Sequence, residues 1–244
     1  MIKRALIFCC LLATMSSVQA SVNVTVNGQQ YRYINPVRLS LVLHTVGKNG
    51  QWYWPACAIY STQTEAVEAQ RQAILQDIDA LAYALKPTDE KAMALSALGR
   101  QIASWKLAKR LPVDIHFDAA RLDASKNPML QPGNYILSLR GRPQEVWVSG
   151  LVNTPGAYEY QNTMAPFEYA KGIERRADAD PDYVYVISPR GEVSKQNIAY
   201  WGKSFSQVMP GSQIYVPLFS WLLSPDVDEL NRKIAELAVH RVLP

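Results

Sequence analysis

Residues 146–158 have the sequence VWVSGLVNTPGAY. Val146, Val148 and Val152 alternate with other residues around Gly150, which is typical of a strand with one buried face. Pro155 and Gly156 then stand at the second and third positions of a turn, as a type II turn requires. This stretch predicts a strand, a tight turn and a chain that continues through Tyr158 into a sheet.

The rest of the second half predicts the same kind of small α+β unit. A short apolar segment at 165–174 indicates a helix, and residues 183–187 and 192–198 flank a Ser-Pro-Arg-Gly turn as a hairpin. Pro210 and Gly211 precede a last strand at 213–217. We assign residues 144–218 to this second domain.

The first half also opens as a sheet. Alternating residues 22–26 and 29–33 flank Asn27-Gly28, a strong hairpin signal because both residues tolerate positive φ. A short helix is expected within 36–46 and strands at 54–60 and 135–139. Val113, Ile115 and Phe117 alternate with Asp114, His116 and Asp118, which predicts one more strand.

A helical hairpin interrupts these strands. Thr62 and Glu65 have the spacing of a capping box, and one helical stripe follows at Val67, Ile74, Ile78, Leu81 and Leu85. Lys86-Pro87-Thr88 breaks the helix, and a second stripe runs through Leu95, Leu98, Ile102 and Trp105. So short a turn makes two helices fold back antiparallel. We therefore place an insertion at about 62–109 within a first domain of residues 21–143.

The N-terminus has the pattern of a secretory signal peptide. Lys3 and Arg4 precede a charge-free apolar run, and Val18-Gln19-Ala20 fits a cleavage site. We expect residues 1–20 to be removed and the mature chain to be periplasmic, without a transmembrane segment. Cys9 and Cys10 would leave with the leader, so Cys57 is expected to be a free, buried thiol.

Composition excludes some classes of protein. The chain is 48% hydrophobic and 19% charged, which indicates a folded globule, and its net charge of +4 is too small for a general nucleic-acid binder. The sequence contains neither a phosphate-binding Gly-rich loop nor a Gly-x-Ser-x-Gly nucleophile motif. We expect no cofactor and no nucleic-acid partner.

The order of several motifs resembles a known family. The 146–158 stretch followed by Gly211-x-x-Ile214-x-Val216 is similar to the soluble-ligand-binding β-grasp (SLBB) domain of outer-membrane polysaccharide exporters. With Trp54-Pro55, Arg110-Leu111-Pro112-Val113, Asn127-Pro128 and Gly133-Asn134-Tyr135, the chain resembles periplasmic capsule-biosynthesis proteins of the GfcC type. The resemblance implies an α+β fold of two β-grasp domains, with the helical hairpin in the first and a C-terminal amphipathic helix.

Acidic and histidine-containing clusters suggest metal sites only weakly. Asp114, His116 and Asp118 would lie about 6–7 Å apart along one strand, too far to converge on one ion without other ligands. The run Asp178, Asp180, Asp182 lacks the Gly and Glu of a calcium loop. Solvated faces are the favoured interpretation, so we predict no metal site. His44 is expected to pack in a helix and His240 to be solvated.

The candidate ligand-binding residues are Arg110, Trp52 and Trp54. The faces of aromatic rings suit sugar rings. The alternative is that Trp54 packs in the core and that Trp52 packs in the groove beside the helical hairpin. Arg110 joins the helical hairpin to a strand, and its planar fork could hold the carboxylate of an acidic sugar. The alternative is that Arg110 merely complements a helix dipole.

A C-terminal amphipathic helix is predicted within residues 219–244. Pro225 and Asp226 favour helix initiation. One stripe is a candidate partner-binding surface unless it packs on the protein itself: Val227, Leu230, Ile234 and Leu237.

These observations favour a non-enzymatic periplasmic accessory protein of capsule or exopolysaccharide assembly and export, with no catalytic residue. Its expected partners are polysaccharide or polysaccharide-export proteins. Two alternatives stay open: a periplasmic hydrolase or lyase acting on polysaccharide, and a scaffold without a ligand.

Overall fold

The structure is a computed structural model that describes residues 21–47, 50–83, 85–220 and 225–244. The predicted signal peptide lies outside these residues. The described chain is an α+β protein, as the sequence predicted. Within it, no helix is both long and apolar enough to span a bilayer.

The helices and strands of the first half follow one another as β1 (Val22–Val26), β2 (Gln29–Tyr33), β3 (Val37–Arg38), α1 (Leu39–Val46), β4 (Ala58–Ser61), α2 (Glu65–Tyr83), α3 (Glu90–Ala103), β5 (Lys109–Arg110), α4 (Phe117–Leu122), β6 (Met129–Leu130) and β7 (Gly133–Ser138). The second half contains β8 (Glu145–Gly150), β9 (Gly156–Glu159), α5 (Pro166–Gly172), β10 (Tyr183–Ile187), β11 (Val193–Asn197), β12 (Gln213–Val216) and α6 (Pro225–Ala238).

Two five-stranded sheets have the same strand order. The first runs β2-β1-β7-β4-β5 and the second β9-β8-β12-β10-β11, so in each the first strand lies next to the last. That central pair is parallel in both sheets, and the remaining neighbours are antiparallel. The division into two β-grasp domains stays a prediction, and the matching strand orders support it.

The predicted hairpin between β1 and β2 is confirmed. Asn27 and Gly28 have φ values of 47° and 89°, the left-handed conformation that this two-residue turn needs. The helical insertion is also found, as α2 and α3. Asp89 caps α3 by accepting a hydrogen bond from the Lys91 N–H at 2.9 Å.

Three apolar layers surround the sheets. One face of the first sheet packs against α1 and α4, and one face of the second packs against α5. The other face of the second sheet, including Tyr185 and Tyr215, is covered by α2, α3 and α6. The helical insertion is therefore connected to the first sheet but buries its stripe against the second.

Three local predictions were wrong. Residues 113–116 form no strand; His116 instead caps α4, and its Nδ1 accepts a hydrogen bond from the Ala119 N–H at 3.3 Å. The expected strand at 54–60 begins only at Ala58, because Trp54–Ala56 form a 3-10 turn around Pro55. The Thr62–Glu65 capping box is absent, since α2 begins at Glu65.

The histidine predictions were met only in part. His44 lies in α1 and its ring stacks on that of Phe117 with centroids 6.2 Å apart, but the residue is exposed. His240 follows the end of α6 and is half-buried, because the chain there passes under the first sheet.

Candidate functional site

A cleft of about 390 Å3 opens where the first sheet meets the turn between β10 and β11. Its walls come from the 3-10 turn, the end of β5, the segment before α4 and the β10–β11 turn. The polar and aromatic side chains of the lining include three cations and one carboxylate. They are Trp54, Arg110, Asp114, His116, Lys126 and Arg190. Of the predicted ligand-binding residues, the cleft brings Trp54 and Arg110 together.

Arg110 is fixed in place by both halves of the chain. It pairs with Tyr60 across β4 and β5, and its guanidinium carbon lies 5.9 Å from the centroid of the Tyr60 ring. Its Nη2 donates to the Pro189 carbonyl at 2.6 Å, and its backbone N–H donates to His240 Nδ1 at 3.0 Å. The guanidinium is thus oriented by the second sheet and the C-terminal segment, and not by a helix terminus.

Two further arginines lie directly behind Arg110. A small cavity of about 30 Å3 is bounded by Arg110, Arg140 and Arg241. Arg140 Nη2 donates to the Leu243 carbonyl at 3.4 Å, and Arg241 Nη1 donates to Gln213 Oε1 at 2.8 Å. We call Arg110, Arg140, Arg190 and Arg241 the arginine cluster.

The arginine cluster has no acidic counter-charge. Within the described residues, the ion pairs all involve other basic side chains, and the polar contacts of the cluster go to carbonyl or amide oxygens. Arg110, Arg140 and Arg241 are partly buried and Arg190 is exposed. Like charges repel each other, and the repulsion grows where part of the surrounding water is excluded. A bound anion would relieve that repulsion.

The pKa values of titratable groups at the cluster are shifted by burial and by the neighbouring positive charges. Burial lowers the pKa of Arg241 to about 10. Burial also lowers the pKa of His240, and the charges of Arg110 and Lys109 lower it further. The pKa of the Tyr60 hydroxyl is raised by burial, an effect that Arg110 and Arg140 partly oppose.

The two candidate tryptophans occupy different places. Trp54 lines the cleft, with its ring centroid 5.4 Å from that of His116. Trp52 is half-buried against the first core, and its Nε1 donates to the Gly47 carbonyl at 2.9 Å. Trp52 is therefore an anchor for the chain before the 3-10 turn and lies outside the lining of the cleft.

Asp180, in the acidic run at 178–182, has a structural role. Asp180 is 5% exposed, and its Oδ1 accepts from the N–H groups of Asp182 at 2.8 Å and Tyr183 at 3.0 Å. Asp180 therefore closes the turn before β10, in the run whose sequence resembles the start of a calcium loop. No group of three metal-ligating side chains occurs in the described part of the chain.

The candidate partner-binding stripe is not a free surface. Leu230, Ile234 and Leu237 are at most 2% exposed, and Val227 packs at the border of the same core. They contact the inserted hairpin and the second sheet. The structure therefore favours the alternative that the stripe packs on the protein itself, and partner binding by these residues stays a prediction.

Sequence reasoning missed Arg140, Arg190 and Arg241 and gave His240 no role at this site. They come from the segment after β7, from a hairpin turn and from the segment after α6, and no spacing in the sequence connects them. Only the fold shows that these segments meet at Arg110.

Comparison with known proteins gives the family. A family model described as capsule biosynthesis GfcC, N-terminal, matches residues 18–142, and one described as capsule biosynthesis GfcC C-terminal matches residues 154–243. The chain belongs to the GfcC family. This confirms the resemblance predicted from the sequence and gives the chain a role in capsule biosynthesis. The likeness to SLBB domains stays a prediction.

A GfcC-family relative covers much of the same length. The uncharacterized protein YjbG of Escherichia coli (strain K12) is 31% identical over 191 residues, which is 78% of this chain and 77% of the relative. The arginine cluster takes Arg110 and Arg140 from the N-terminal match and Arg190 and Arg241 from the C-terminal match.

Proposed function

We propose that the chain is a non-enzymatic periplasmic accessory protein of capsule export that binds an acidic polysaccharide in the arginine-rich cleft. The observation that carries the proposal is the arginine cluster, whose charges have no carboxylate partner among the described residues. Guanidinium groups form paired hydrogen bonds to carboxylates and phosphates, the usual acidic groups of a charged glycan.

The cleft can also accommodate a sugar ring. Trp54 and Arg110 both line it. The C–H face of a pyranose is apolar and packs on an aromatic ring, while its acidic substituent points to the arginines. The two features together favour an acidic sugar over a free inorganic anion.

The small number of acid–base groups at the cleft supports a role in binding and not in catalysis. Asp114 is the one carboxylate in its described lining. Most glycoside hydrolases use a pair of carboxylates on either side of the scissile bond. His116 Nδ1 is occupied as the cap of α4. These features favour binding without turnover.

The proposal is tested with purified acidic capsular polysaccharide and neutral dextran of similar size. Wild-type protein should bind the acidic polymer and not dextran, and its affinity should fall with added salt. Arg110→Gln and Arg190→Gln, at the two arginines that line the cleft, should each weaken binding by about tenfold or more, because each removes charge-assisted hydrogen bonds. Arg100→Gln, on the exposed side of α3, is the matched control and should bind normally.

Two results would contradict the proposal. Equal binding of acidic and neutral polymers, or wild-type affinity in both cleft variants, would remove the arginine cluster from recognition. Release of reducing ends or of unsaturated sugars from the polysaccharide by the wild-type protein would show a hydrolase or a lyase.

A further inference from the structure

The loop between β11 and β12 exposes three aromatic side chains. Tyr200, Trp201 and Phe205 are 75%, 84% and 78% exposed. Single exposed apolar residues are ordinary on a protein surface, whereas several large ones in one loop indicate an interaction site.

These side chains form one patch with α5. The Tyr200 and Trp201 rings meet edge-on with centroids 4.9 Å apart, and Phe205 meets Phe167 of α5 edge-on at 5.8 Å. Lys203 joins the two pairs, since its Nζ lies 4.9 Å from the Tyr200 centroid and 5.0 Å from that of Phe167. We call Phe167, Lys171, Tyr200, Trp201, Lys203 and Phe205 the aromatic–lysine patch.

The loop is held in this shape by hydrogen bonds to β11. The Ser204 N–H donates to the Asn197 carbonyl, and the Ala199 N–H donates to Asn197 Oδ1, both at 2.9 Å. Ser206 Oγ donates to Gln196 Oε1 at 3.0 Å. The backbone therefore directs the aromatic rings outward instead of folding them onto the sheet.

The patch carries positive charge. Lys171 Nζ lies 5.5 Å from the Phe167 centroid, and neither Lys171 nor Lys203 forms an ion pair with any described residue. The acidic neighbour on α5, Glu168, is turned to the start of its helix, where Oε2 accepts from the Ala165 N–H at 2.7 Å. The complementary partner is anionic.

We infer that the aromatic–lysine patch docks the protein on the surface of an anionic phospholipid bilayer. Trp and Tyr favour the interface between headgroups and acyl chains, and Lys attracts anionic headgroups while its stem stays among apolar groups. Three protruding aromatic side chains with two adjacent lysines combine both contributions.

A bilayer fits the patch better than a polysaccharide does. Sugars stack on open ring faces, but ammonium groups stand over the faces of Phe167 and Tyr200. The rings also meet edge-on and make no flat platform. Insertion of ring edges between headgroups needs no such platform.

Docking through the patch would leave the arginine-rich cleft accessible. The loop follows the end of β11 at Asn197, whereas Arg190 of the cleft lies in the turn before β11 begins at Val193. A five-residue strand is about 16 Å long, so the two surfaces lie at opposite ends of β11. The inference does not depend on the proposed glycan binding.

The test is flotation of the full chain with vesicles of phosphatidylethanolamine and phosphatidylglycerol in three-to-one proportion, against pure phosphatidylcholine vesicles. Wild-type protein should float with the anionic vesicles only. Trp201→Ala/Phe205→Ala should reduce binding at least about tenfold, and Lys171→Gln/Lys203→Gln about fivefold per lysine at low salt. Tyr83→Ala, which removes an aromatic side chain that is 93% exposed at the end of α2, is the matched control.

Brominated phospholipids provide a second readout. They should quench tryptophan fluorescence in the wild-type protein and much less in Trp201→Phe, which keeps the aromatic character of the loop. Absence of vesicle binding, or equal binding by the patch variants, would overturn the inference. So would a Trp201→Ala/Phe205→Ala variant that loses polysaccharide binding and keeps vesicle binding, because the patch would then be a glycan surface.

Discussion

At the scale of single residues, Gly150 lies where β8, the neighbouring strand β12 and helix α3 come close together. Its φ is +98°, and its N–H donates to Gln101 Oε1 of α3 at 2.7 Å. A β-carbon at this position would lie 2.1 Å from the Val216 carbonyl oxygen on the parallel neighbour β12. The backbone approach therefore requires glycine.

Gly150→Ala should destabilise the protein by about 3 kcal/mol or more, since it combines an unfavourable φ with a clash against backbone. Gly28→Ala is the control, because Gly28 also has positive φ but has open space around its α-carbon. It should cost only about 1 kcal/mol. Denaturant unfolding of the two variants measures the difference, and equal losses would mean that the close approach to Val216 is unimportant.

His240 makes the stability of the junction depend on pH. Its folded-state pKa lies below the ordinary value of 6.5, first because it is buried and then because Arg110 and Lys109 repel the imidazolium. The neutral ring accepts the Arg110 N–H, which protonation of Nδ1 would prevent. Its contribution is complete above the unfolded-state pKa and is lost as the pH falls through the folded-state pKa.

The free energy of unfolding should therefore decrease between pH 8 and pH 5, and more steeply in the wild type than in His240→Gln. Burial raises the pKa of Asp180, which changes the free energy of unfolding in the opposite direction at more acidic pH. The comparison with His240→Gln therefore isolates the contribution of His240. Parallel pH profiles for wild type and His240→Gln would contradict the assignment.

At the scale of helices and strands, α6 is part of the core and is anchored by one buried amide. Asn231 Oδ1 accepts from the Leu218 N–H at 2.9 Å and from the Tyr215 hydroxyl at 3.1 Å, while Nδ2 donates to the Leu218 carbonyl at 2.8 Å. Asn231 is 1% exposed, so these partners would meet no water if the amide were removed.

Asn231→Ala should cost about 3 kcal/mol, because it leaves buried backbone groups unpaired in addition to a small cavity. Arg232→Ala on the exposed side of the same helix loses only surface ion pairs with Glu229 and Glu236 and should cost much less. Thermal denaturation distinguishes the two. A similar small loss in both would mean that α6 is attached loosely enough to serve as a docking element.

The helices and strands that could be predicted from sequence are those with long periodic patterns. The stripes of α2, α3 and α6 and the alternation of β1 survive in the structure because each pattern covers several turns or residues of one face. Residues 113–117 alternate just as well, but α4 begins there because a side-chain cap at His116 satisfies its first turn. The partner of each stripe could not be predicted, since packing between helices depends on contacts distant in sequence.

At the scale of the whole molecule, the two sheets are joined by segments that cross from one to the other. The hairpin α2–α3 is inserted in the first sheet and packs on the second. Residues 239–244 return from α6 to the first sheet, where Ala108 N–H donates to the His240 carbonyl and Val242 N–H to the Lys106 carbonyl, both at 2.9 Å. The arginine cluster lies at this crossing, which explains why it had no signature in the sequence.

These crossings predict a single cooperative unfolding transition for the full chain, because one face of each sheet is covered by a segment that belongs to the other half. Removal of residues 239–244 should uncouple the halves. The small core of Ala58, Tyr60 and Ala108 then loses Val242, and β5 loses the His240 side chain. Calorimetry should show a lower first transition that separates from the second. Hydrogen exchange should locate the early opening in β4, β5 and β7, with β12 still protected.

Removal of residues 243–244 alone is the matched control for this truncation. It keeps the bonds from Ala108 and Val242 to the opposing carbonyls, and with them the cover under the first sheet. It should therefore melt in one transition close to that of the full chain. If the longer truncation also melts in one unshifted transition, the helical hairpin alone couples the two sheets. In that case the hydrogen bond from Arg110 to the Pro189 carbonyl, and not the C-terminal segment, would hold the arginine-rich cleft in its shape.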